Sequence, residues 1–82
     1  MEAKVSVIKT LEFENGTYFH GGEEMFITDK NGNEYIGEVM RIRDDYVILT
    51  KVTKNDEPLT DDVVVMYDNI VEVGYAVESG VR

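Results

Sequence analysis

Arg41 and Arg43 stand two residues apart in a stretch that reads as a strand, so both side chains point to one face. Lys51 follows on the next predicted strand. These residues form the one plausible basic cluster of the chain. Such a cluster can meet phosphates. It can also pair with nearby carboxylates such as Glu38, Asp44 and Asp45. Other chemistry is thin. His20 is the only histidine, which cannot build a zinc site, and no Ser or Cys nucleophile motif surrounds it. Asp29-Lys30-Asn31-Gly32-Asn33 has a glycine too early for an EF-hand, and turn chemistry accounts for it. Asp56, Glu57, Asp61 and Asp62 read as a solvated loop. No carboxylate stands in an apolar context that would tune it as a general acid. The expectation is a protein without catalytic activity, metal or cofactor.

These residues must be positioned by a small fold. The chain has 82 residues, enough for one domain. A chain of this size buries only roughly 60–65% of its unfolded surface. Oligomerisation is a common way to gain buried area. There is no cysteine, so disulfides and thiolate metal sites are excluded. No apolar run approaches the ~20 residues that span a bilayer. The N-terminus lacks the basic start and apolar core of a signal peptide. A cytoplasmic protein with no membrane partner is the expectation, in a host cytoplasm if a virus encodes it. The formal net charge of −9 argues against a generic nucleic-acid binder. A local basic patch can still exist on an acidic surface.

Period-two stretches and turn signals fill the chain, which argues an all-β barrel. Ala3 to Glu14 alternates, with Val5, Val7, Leu11 and Phe13 on one parity, and Ile8 and Lys9 break the pattern. Asn15-Gly16 is a hairpin signal of type I′, and Thr17 to Phe19 is a return strand. Glu24 to Asp29 reads as a strand, and Asn31-Gly32 is the second hairpin signal. From about Glu34 to Arg43 the apolar positions change parity, with Gly37 inside. A change of buried face at a strand glycine suits a sharply curved barrel. Asp44-Asp45 is a turn. Tyr46 to Thr53 is the most regular strand, and Lys54 to Asp62 is a polar loop. Val63 to Tyr67 is apolar on both parities, Asp68-Asn69 turns the chain, and Ile70 to Val77 is the last strand.

Two segments resemble the halves of the Sm-like motif. They are Tyr35-Ile36-Gly37-Glu38-Val39-Met40-Arg41-Ile42-Arg43-Asp44-Asp45-Tyr46-Val47-Ile48-Leu49 and Val63-Val64-Val65-Met66-Tyr67-Asp68-Asn69-Ile70-Val71-Glu72-Val73. Asp45 to Leu49 is similar to the run of the bacterial, Hfq-like branch, with a spacing from Gly37 that a bulge near Met40-Arg41 would absorb. The resemblance implies a strongly bent, five-stranded, SH3-like antiparallel barrel over 23–78. Residues 1–22 are then an extension, a strand or hairpin with helix as the alternative, and 79–82 are a tail. The family's Asp and Asn positions hold Arg43 and Val47 here, and its Arg-Gly falls on Met66-Tyr67. The family's cationic element is thus absent. Tyr46, at the base-stacking position, and Tyr67 remain as aromatic platforms, worth about 1–3 kcal/mol per stacked base.

The resemblance also implies assembly. In the family the strand matching Val63, Val64, Val65 and Met66 pairs with the next subunit's last strand, here carrying Val71, Val73 and Tyr75. Such head-to-tail pairing must close into a ring, of about five to seven subunits by analogy, or grow into a filament. The implied function is a ring that binds single-stranded RNA or DNA through Tyr46, Tyr67, Arg41, Arg43 and Lys51, as a nucleic-acid-processing accessory factor. The alternative is an acidic structural or protein-interaction assembly module, with a phage as one source, that binds no nucleic acid.

Overall fold

The structure is a computed structural model that describes residues 1–7 and 9–76. Glu78 and the tail 79–82 lie outside the described residues, as does Val77. The described chain is all-β and antiparallel, with one short 3-10 turn at Tyr67–Asn69 and no α-helix. The strands are β1 (Ala3–Val5), β2 (Leu11–Phe13), β3 (Tyr18–Phe19), β4 (Glu24–Asp29), β5 (Glu34–Ile42), β6 (Tyr46–Lys54), β7 (Glu57–Pro58), β8 (Val63–Met66) and β9 (Ile70–Tyr75). The larger sheet runs β7-β6-β5-β4-β9, and β8 pairs with β6 beside β7. Among the described residues β8 and β9 do not pair with each other, and each keeps one edge without a strand partner.

The N-terminal region is not a simple extension. The stretch Ala3 to Glu14 is two strands, not one. It reverses at Ser6–Thr10, where the Ser6 amide donates to Thr10 O and the Lys9 amide to Ser6 O. Lys9 has φ 63°, the left-handed conformation that the broken alternation at Ile8-Lys9 marked. The resulting sheet, β1-β2-β3, buries Leu11, Phe13 and Phe19 in the same core as Met25, Ile27, Leu49 and Ile70. Phe13 meets Phe19 edge-on at 6.2 Å and Tyr67 at 5.9 Å. Fully burying side chains of this size stabilises by about 1.5–3 kcal/mol each.

Both Asn-Gly signals mark hairpins, but of a different turn type than expected. Only Gly16 and Gly32 have positive φ; the asparagines before them do not. In each, the last residue of the strand bonds across a three-residue loop. The Phe13 amide donates to Thr17 O, and the Asp29 amide to Asn33 O. This is the loop in which a left-handed glycine closes a bulge. The two positive φ values of a type I′ turn occur at Asn55 (52°) and Asp56 (71°). They join β6 to β7 inside the segment read as a polar loop. Pro58 sits on β7, at a sheet edge, where a missing N–H is tolerated.

β5 changes its buried face at Met40-Arg41, not at Gly37. Gly37 and Val39 are buried on one parity and Ile42 on the other. The β5–β6 register shifts between Val39 and Arg41, which places the expected bulge. A second shift flanks Gly37, opposite Lys51, whose φ is 54°. Gly37 is needed for close approach. A Cβ there would lie 2.9 Å from Val52 Cγ2 and 3.0 Å from Leu49 Cβ.

Candidate functional site

The β5–β6 hairpin carries the residues with most chemical potential. Its tip is closed by the Arg43 amide donating to Tyr46 O at 2.9 Å. Arg41 lies across from Ile48, so cross-strand register puts Arg41, Arg43, Tyr46 and Ile48 on the outer face. Arg41 and Arg43 are exposed, and Tyr46 is half-buried. Lys51 does not join them. It lies back along β6 and pairs with Glu38 at 3.6 Å. Such an exposed pair contributes about 0–1 kcal/mol. The expected cluster of Arg41, Arg43 and Lys51 is therefore split.

Tyr67 is not a platform for a base. Only 5% of it is exposed. Its ring packs on Phe13, and its hydroxyl donates to Arg43 O at 2.6 Å. Burial pushes the phenol far above its usual range, opposed by the Arg43 hydrogen bond and reinforced by the Asp44 and Asp45 charges. Tyr67 instead pins the backbone that carries Arg43. The reason is parity: Tyr67 lies two residues beyond Val65, which is also buried, and both face inward.

A residue the sequence reading passed over completes the basic end. Lys9, at the β1–β2 turn, lines a cleft of about 200 Å³ with Gly21, Met40, Arg41, Ile42 and Arg43. The Ser6 hydroxyl accepts the Thr10 amide at 3.1 Å and stiffens that turn. The opposite flank of the hairpin is acidic. Asp44, Asp45, Glu2 and Asp68 line a separate cleft of about 530 Å³ beside Met66. The hairpin tip thus parts the two charge signs.

The expected assembly strands differ in what they expose. On β8, Val65 is buried and Val63 half-buried, while Val64 (56%) and Met66 (47%) are exposed. On β9, Val73 belongs to the core, and Val71 and Tyr75 are half-exposed. The backbone register shows which amides are free. The Tyr67 amide donates to Asp45 O, so by antiparallel alternation Val65 faces β6 while Val64 and Met66 point their N–H and C=O outward. On β9 the Ala76 amide donates to Glu24 O, which turns Val73 and Tyr75 outward. Asn15 Nδ2 donates to Val73 O at 3.1 Å and the Met1 amine to Ile70 O at 2.9 Å, so two acceptors of β9 are already used.

Among the described residues, Asp29 is the buried charged side chain. It accepts the Asn31 and Asn33 amides at 2.9 and 3.0 Å, the Asn33 side-chain amide at 3.4 Å and the Tyr35 hydroxyl at 3.3 Å. Burial pushes its carboxyl up, but these hydrogen bonds together outweigh burial and hold it below the usual range. The same burial, with the Asp29 charge, pushes Tyr35 up. This is a turn anchor, with its oxygens already engaged. No group of three or more His, Asp or Glu among the described residues is placed to hold a metal ion. No helix among the described residues is long and apolar enough to cross a membrane. No family model, curated protein or solved structure matches this chain.

Proposed function

We propose that this chain is an Sm-like barrel that acts as an acidic assembly module, building a closed ring from copies of itself. The observation that supports this most is the pair of unpaired edges on β8 and β9, with Val64, Met66, Val71 and Tyr75 exposed along them. An apolar edge with outward amides is an aggregation hazard unless another strand covers it. A copy of the chain offers the complementary edge. The strand order β9-β4-β5-β6-β8 and the bulged β5 around Gly37 support the family reading. Pairing β8 with the next subunit's β9 competes with the Asn15 bond to Val73 O, worth about 0.5–1.5 kcal/mol, and with the charged Met1 amine on Ile70 O, worth about 1.5–3 kcal/mol. Light scattering coupled to size exclusion tests the ring. A soluble species with the mass of one chain at micromolar concentration refutes it.

A second reading is favoured by the exposure of Arg41 and Arg43 beside Tyr46. In it, the ring holds single-stranded nucleic acid weakly and with strong salt dependence. Tyr67 and Lys51 have no part in that contact. Anisotropy with labelled oligonucleotides at low salt tests it, and Arg43→Ala should reduce the salt slope.

A further inference from the structure

We infer that the cleft between the β1–β2 turn and the β5–β6 hairpin is a binding site for a compact phosphate dianion, such as a phosphomonoester. The inference concerns the same arginines as the second reading but assigns them a different ligand, and it does not depend on the ring.

The charge distribution carries it. The chain has 17 acidic and 8 basic residues. Yet Lys9, Arg41 and Arg43 line one cleft, and among the described residues none of the others that line it, Gly21, Met40 and Ile42, is acidic. On an acidic surface, exposed cations ordinarily find carboxylates. Here the ion pairs among the described residues are His20 with Glu23 and Lys51 with Glu38. Lys9, Arg41 and Arg43 take part in neither. Asp44 and Asp45 adjoin Arg43 in sequence but line the other cleft.

The scaffold under these cations is fixed. Arg43 is held at its amide by Tyr46 O and at its carbonyl by the Tyr67 hydroxyl. Arg41 follows the β5 bulge. Lys9 sits on a turn closed by the Ser6 and Thr10 bonds. The turn before β4 is tied to β5 through the Gly22 amide on Val39 O and the Val39 amide on Glu23 O. Backbones fixed in this way lower the entropy lost when the side chains close on a ligand.

The chemistry selects phosphate. Guanidinium groups match phosphate oxygens with paired N–H donors, and an ammonium adds a point charge. Two arginines and a lysine oppose a dianion better than a single carboxylate. A polynucleotide fits less well. Among the described residues no aromatic ring lines the cleft, so bases find no platform on them. A net charge of −9 repels a long polyanion over the Debye length, whereas a small ligand meets mainly the local cations.

Amide NMR titration with inorganic phosphate, at constant ionic strength set by sodium chloride, tests the site. Saturable shifts at Lys9, Gly21 and Met40 to Arg43 are expected at millimolar phosphate. The Arg41→Gln/Arg43→Gln double variant should weaken binding about tenfold or more, and Lys9→Gln by a smaller factor. Circular dichroism checks that each variant is folded. All three residues are exposed, so their loss should leave the fold intact. Shifts that never saturate, or that spread equally to Lys4, Lys30 and Lys54, overturn the site. So does an oligonucleotide that binds more tightly than phosphate and shifts Tyr46 and Lys51 as well. Light scattering on the same samples reports the oligomeric state separately, so loss of the ring and loss of the phosphate site are distinguishable.

Discussion

Met66→Pro separates folding from assembly. Met66 has φ −75° and ψ 136°, within the range a proline ring imposes. Its N–H points away from β6, so the fold loses no ladder bond. Proline contributes about 0.4–1 kcal/mol by restricting the unfolded chain. Against this, the methionine side chain is about half-buried, and its loss costs on the order of 1 kcal/mol. The two nearly cancel, so the melting temperature of the single chain should change little. At a strand junction the outcome differs. One N–H···O bond disappears, worth about 0.5–1.5 kcal/mol, and the partner's carbonyl is left without its donor at a cost of about 1–3 kcal/mol. Each junction should weaken by about tenfold or more. Light scattering should then find folded single chains where the wild type forms rings. Val65→Pro is the control. Its amide faces β6, so it should destabilise the fold itself. A ring that survives Met66→Pro would refute the β8 junction.

Gly37→Ala should destabilise by about 1–3 kcal/mol in thermal melts, since its Cβ would press on Val52 and Leu49. Asp29 has a carboxyl pKa below its usual value near 3.8, so it contributes stability above that pH and loses it as pH falls through the depressed pKa. Acid titrations followed by circular dichroism should show a destabilising limb below about pH 4 that Asp29→Asn flattens. Tyr67→Phe removes the donor to Arg43 O and should cost about 0.5–1.5 kcal/mol in urea unfolding. The raised Tyr67 pKa makes its contribution complete below the ordinary tyrosine value of 10.0 and lost as pH rises further. Tyr67→Phe should therefore weaken the alkaline unfolding limb.

Of the strands from Glu24 onward, β4 and the first half of β6 were legible in the sequence because alternation there reflects one buried face, whereas β7 lay hidden in a segment read as a polar loop. Tyr46–Lys54 follows this as far as Leu49, with Val47 and Leu49 inward, but beyond the left-handed Lys51 the parity changes and Val52 is buried instead. The parity change in β5 was also legible, but its cause was misplaced. A glycine looked like the bend, whereas the bulge at Met40-Arg41 shifts the register and Gly37 serves close packing. Asn55-Asp56 escaped notice because neither residue is glycine, although both adopt positive φ. At the candidate site, the inward position of Tyr67 was not legible, because Val63 to Tyr67 is apolar on both parities and only the pairing of β8 with β6 shows that Val65 and Tyr67 share the buried one. Lys9 was missed for another reason. The break at Ile8-Lys9 looked like an irregular strand, and only the reversal brings this lysine to Arg41 and Arg43.

The way β1-β2-β3 completes the core sets an order for folding. Leu11, Phe13 and Phe19 are made early, yet Phe13 rests on Tyr67 and Phe19 on Tyr75, at 5.9 and 4.9 Å. Met1 donates to the carbonyls of Tyr67 and Ile70, across 66 and 69 residues. Closing loops of that length precedes any gain from the contacts they bring, which slows folding. As the chain leaves the ribosome, its first apolar hairpin must wait until β9 has emerged. The three aromatic and aliphatic side chains of that hairpin have no core to enter throughout the wait, and apolar surface exposed in this way is prone to aggregation.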